Sequence, residues 1–151
     1  MHHIILMFFV LSGQIFFAQK TKTPAKTPGK TFEQKLELNA EQKKLFNANF
    51  EKFIDALKTN DKAAMTALLS EKAKQMVNDQ VFEKLSKDIN VSRKLSVFKT
   101  GYKSTIGGKN YPMIQYKYSD EKAKEPKEII TAVFEEDGKI LGIKPYKQGS
   151  I

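Results

Sequence analysis

The chain has 151 residues, the length of one ordinary domain. It contains neither cysteine nor tryptophan, which removes disulfides, thiolate nucleophiles and thiolate metal sites. Its 26 basic and 17 acidic residues leave a net charge of +9, and Arg93 is the sole arginine. Base and phosphate recognition leans on the planar guanidinium fork, so a surface dominated by lysine argues against a nucleic-acid partner.

Residues 1–18 read as a signal peptide. Positions 4–11, Ile-Ile-Leu-Met-Phe-Phe-Val-Leu, form an uncharged apolar run that is short for a bilayer-spanning helix. A second stretch, Ile15-Phe16-Phe17-Ala18, ends in a small residue suited to cleavage. No lysine or arginine precedes the run and Phe16 is bulky, so an uncleaved N-terminal anchor is the alternative. The expectation is an exported protein, periplasmic or secreted. Both histidines, His2 and His3, fall in this leader, and without cysteine no lipoprotein attachment is possible.

Residues 19–38 form a basic linker. Lys20, Lys22, Lys26 and Lys30 are spaced by threonines, Pro24, Pro28 and Gly29 with no acidic residue between them, a composition that stays extended and solvated. It serves as a plain spacer, or as a salt-sensitive tether to anionic lipid, lipopolysaccharide or acidic polymer. Membrane contact is expected only here or through an uncleaved leader.

The folded part is expected over 39–147, with a short tail at 148–151. Asn39 with Gln42 three residues on is a capping box that starts a helix. Phe46, Phe50, Phe53, Ile54 and Leu57 then recur at helical spacing, with Lys44, Glu51, Asp55 and Lys58 opposite. Asn60-Asp61 ends this helix and caps the next, which carries Ala64, Met65, Leu68 and Leu69. Ser70 caps a third, with Ala73, Met76 and Val77 turned inward, and Asp79 restarts a helix through Phe82, Leu85 and Ile89. Such stripes are core rather than a ligand box.

After Asn90 the period shortens to two. Leu95 and Val97 open a strand that runs through Phe98, Tyr102 and Ile106 to a Gly107-Gly108 turn. Ile114, Tyr116 and Tyr118 share one face of the next strand, with Met113, Gln115 and Lys117 on the other. The β-branched run Glu128–Phe134 follows a charged turn, and Asp137-Gly138 leads into a last strand, Ile140–Ile143, ending before Pro145. Helices first and an antiparallel meander afterwards predict an α+β domain, helices packed on a curved sheet of about four strands.

The segment Phe53…Leu57…Asn60-Asp61…Ala64…Leu68 resembles the opening of NTF2-like (cystatin-like) domains. In these a long helix is followed by a short one starting at an acidic turn. Phe134-Glu135-Glu136-Asp137-Gly138-Lys139-Ile140-Leu141-Gly142-Ile143 looks like their terminal hairpin. The likeness spans about residues 42–146 and is nearest to small exported bacterial members of uncharacterised function. It implies a sheet wrapped on a helix as a cone, a pocket at the wide end, and dimerisation through the sheet. Fold alone says little about activity in such a family.

The chemistry is narrowed by what is missing. Once the leader is removed no imidazole remains for acid–base work at neutral pH. No G-x-S-x-G or S-x-x-K surrounds a serine, Gly107-Gly108-Lys109 lacks the rest of a phosphate loop, and a zinc site would have to be built from carboxylates. Glu135-Glu136 and Asp120-Glu121 lie on turns and read as solvated charge. No cofactor is expected.

Tyrosine is the open possibility. Tyr102, Tyr116 and Tyr118, with Phe134, are the candidate lining of a pocket for an apolar ligand with one or two polar atoms. The leading expectation is a non-enzymatic module that binds a small ligand or an envelope protein. Alternatives are an isomerase or hydrolase using tyrosine and a carboxylate, and a lysine-rich module for anionic envelope polymers.

Overall fold

Capping chemistry sets each helix start. The computed structural model describes residues 37–149, so the leader, Lys20, Lys22, Lys26 and Lys30 lie outside the described residues. Asn39 accepts from the Gln42 amide while the Gln42 side chain accepts from the Asn39 amide, which closes the box that opens α1 (Ala40–Lys58). Asp61 caps α2 (Lys62–Ala67), Ser70 caps α3 (Glu71–Met76) and Asn78 caps α4 (Asp79–Asp88). Asn60, at φ 54, makes the left-handed turn between α1 and α2. Leu38, assigned by its sequence to the linker, is buried, so among the described residues the core begins one residue before the first cap.

Four strands follow: β1 (Leu95–Ser104), β2 (Asn110–Tyr118), β3 (Glu128–Phe134) and β4 (Ile140–Lys147). They pair antiparallel in chain order as an open sheet, and the domain is α+β. Both tight hairpins have the same loop. The Thr105 amide donates to the Lys109 carbonyl with Gly108 at φ 81, and the Glu135 amide donates to the Lys139 carbonyl with Gly138 at φ 90. A three-residue loop of this kind needs a left-handed residue at its end, which glycine adopts without strain.

The inner face of the sheet carries Ile114, Tyr116 and Tyr118 from β2 and Ile130, Ala132 and Phe134 from β3, all buried. Helix α1 lies on it. Phe46 stacks on Phe134 with ring centres 4.8 Å apart, and Phe50 stacks on Tyr116 at 3.8 Å. Each such buried ring contributes about 2–3 kcal/mol through its removal from water. The β3–β4 hairpin docks on the same helix, where Asn49 Nδ2 donates to the Gly138 carbonyl.

The expectations for Met76 and for the end of the last strand are corrected, and Val97 departs from the burial of the face it shares. Met76 is 66% exposed, because α3 stops there and Val77 is extended, so the helical phase is not carried through. Val97 faces the Tyr116 side yet is 47% exposed, since β1 is an edge strand and the α1 rings cover β2 and β3. The last strand runs on through Pro145. The Gln148 amide donates to the Lys127 carbonyl, and amides alternate along a strand, so position 145 faces the free edge, where a missing N–H breaks no ladder.

A Cβ at Gly138 would lie 2.9 Å from Leu45 Cγ and 2.8 Å from Asn49 Nδ2. Gly138→Ala is expected to lower stability by about 2–3 kcal/mol, from left-handed strain plus overpacking. Urea unfolding measures it; a change within experimental error would mean that the hairpin does not sit on α1.

Candidate functional site

Where α1 leaves the sheet toward its C-terminus, a cavity of about 210 Å³ opens. Phe50, Ile54 and Leu57 follow the helical repeat inward, and an offset of one residue brings Glu51, Asp55 and Lys58 to the rim. The other wall is the segment joining α4 to the sheet, with Val91, Arg93, Lys94 and Leu95, and Tyr116 lies beneath. The lining is half apolar and half charged, with both signs of charge represented.

Tyr116 is the chemically distinctive residue. Its side chain is 2% exposed, its ring is held under Phe50, and its hydroxyl has no hydrogen-bond partner among the described residues. A buried unpaired hydroxyl costs about 1–3 kcal/mol in lost hydration, so such atoms are rare in native folds. Burial pushes the phenol well above its ordinary value, and the negative charge of Glu51 adds to the shift. At neutral pH the group is therefore a protonated hydrogen-bond donor. Glu51 and Asp55 are exposed to solvent, so no buried carboxylate stands beside it.

The other tyrosine-rich candidates are engaged elsewhere. Tyr118 shares the face of Tyr116, but its hydroxyl accepts from the Asn90 amide at 2.8 Å, which ties the end of α4 to β2. The Arg93 guanidinium stacks 3.9 Å above the Tyr118 ring while bonding both oxygens of Asp120. That pairing holds the Asp120 carboxyl below its ordinary range. Burial raises the Tyr118 phenol. Tyr102 is half-buried at the other end of the sheet, its hydroxyl 3.5 Å from Gln42 Nε2. Phe134 is fully buried under Phe46. Of the four residues singled out from sequence, Tyr116 is the one on the cavity wall.

The remaining wall was not foreseen. Phe50 and Ile54 read as ordinary core, and Asp55 as outward-facing, which it is, at the rim. Val91, Lys94 and Leu95 gave no signal, because they meet α1 only through the path the chain takes after α4.

A second cavity of about 160 Å³ lies between α3, α4 and β4. Its lining, including Phe53, Leu69, Met76, Val81, Phe82 and Ile143, offers no polar side chain. Among the described residues no cluster of His, Cys, Asp or Glu is arranged to hold a metal ion, and no helix is long and apolar enough to cross a membrane. No family model, curated protein or solved structure matches this chain.

Replacing the Tyr116 hydroxyl tests its isolation. Tyr116→Phe is expected to raise the stability of the ligand-free protein by about 1 kcal/mol, since the variant buries no unpaired oxygen. Chemical denaturation of both proteins measures this, and a loss of similar size would show that the hydroxyl has a partner.

Proposed function

We propose that this chain is an exported, NTF2-like binding domain that holds a small ligand in the cavity beside Tyr116. The ligand has an apolar body and an acceptor atom that accepts a hydrogen bond from the Tyr116 hydroxyl. The observation that carries this reading is that hydroxyl: buried, protonated and, among the described residues, unpaired on a tyrosine that lines a cavity of mixed apolar and charged walls. An acceptor arriving there removes a standing energetic cost, which a merely structural tyrosine would leave in place. The atom exposes less than 1 Å², so binding requires the side chains that cover it to shift.

The NTF2-like assignment is supported by the order of elements, a long helix, a short one begun at Asp61, and antiparallel strands ending through Gly138-Lys139-Ile140. Export is supported by the apolar leader. A tyrosine–carboxylate enzyme receives less support, because the tyrosine resists ionisation and the nearby carboxylates sit in water.

Acetophenone and ethylbenzene are close in shape, and only the ketone offers an acceptor. Titrated against isotope-labelled full chain by NMR, acetophenone is expected to perturb residues around Tyr116 and to bind several-fold more tightly than ethylbenzene. Tyr116→Phe is expected to abolish that preference. Equal binding of the two probes, or none of either, would overturn the reading.

A further inference from the structure

Among the described residues the sheet's second face carries no helix. Cross-strand register places Lys99, Gln115, Thr131 and Lys144 in one row from edge to edge, and Gly101, Met113, Val133 and Gly142 in the next. Lys103 and Lys117 flank these rows, and Ile129 pairs with Tyr146, which is 58% exposed. None of the four lysines is in an ion pair among the described residues; Lys117 Nζ bonds a backbone carbonyl and Lys99 Nζ lies over the Phe98 ring. The strand positions of this face include no carboxylate. It is a half-apolar floor edged by uncompensated positive charge.

We propose that this face docks on an anionic lipid bilayer. The lysines stand on β1, β2 and β4, with Lys99 and Lys144 about 14 Å apart across the sheet at ordinary strand spacing. Charge spread in two dimensions meets a planar anionic surface at every point, whereas a linear polyanion follows one line and engages part of it. Between the lysines, Met113, Val133 and Tyr146 face the headgroup region, where tyrosine's mixed character is favourable. A second copy of this chain is a poor occupant, because a two-fold contact sets the same lysines against each other. The contact is separate from the Tyr116 cavity on the opposite face, and neither proposal depends on the other.

The test is sedimentation of the full chain with phosphatidylglycerol vesicles and with phosphatidylcholine vesicles at low salt. The wild type is expected to prefer the anionic vesicles, with binding lost as salt is raised. Each lysine near such a surface strengthens partitioning by about fivefold, so K99Q/K117Q/K144Q is expected to lose about a hundredfold. The helix-side variant K52Q/K72Q/K87Q removes the same charge and is expected to bind much more tightly than the sheet variant. Unchanged melting temperatures confirm that both variants fold. Equal losses in the two variants, or no preference for the anionic vesicles, would overturn the proposal. So would loss of heparin retention in the sheet variant with vesicle binding intact, or a dimer in solution that the sheet variant dissociates.

Discussion

The stack of Phe50 on Tyr116, with ring centres 3.8 Å apart, sets the rest of the domain. It fixes how α1 crosses β2, and with Phe46 on Phe134 it defines the helix direction by two points on adjacent strands. Aromatic rings in this contact exclude water from everything beneath them. The phenol of Tyr116 is thereby committed to a dry environment before any partner is provided. The cavity follows from the same geometry, because past Phe50 the helix is propped above the segment leading into β1.

Most of the fold is legible in the residues because its signals are local. Asn39 with Gln42, Asp61 and Ser70 announce helix starts through hydrogen bonds formed within three residues. Gly108 and Gly138 mark the hairpins because a three-residue loop needs a left-handed position. The alternation of Ile114, Tyr116 and Tyr118 identifies the inner face directly. The departures arise where tertiary placement decides. Met76 ends a helix too short to hold its phase, and Pro145 is tolerated because it faces the open edge of β4. Val97 is exposed because it belongs to an edge strand beyond the reach of the α1 rings.

The site was less legible. Three tyrosines and Phe134 stand out by type and spacing, yet what separates them is the partner each one finds. Tyr118 is occupied by the Asn90 amide, Tyr102 stands beside Gln42, and Phe134 is closed under Phe46. Tyr116 alone of these lines the cavity, with its hydroxyl unpaired among the described residues. Nothing local distinguishes it from Tyr118 two residues later, since the difference depends on where the chain passes after α4. The lysines of the outer face were likewise visible only as composition until register gathered them on one surface.

Burial under Phe50 holds Tyr116 protonated and, among the described residues, without a hydrogen-bond partner. Labelling tyrosine at Cζ and following its carbon resonances by NMR from neutral to alkaline pH tests this most directly. The Tyr116 signal is expected to stay fixed as pH passes through 10, the ordinary tyrosine value, and to move only when the domain unfolds. A Tyr116 signal that titrates near pH 10 in the folded protein would contradict it.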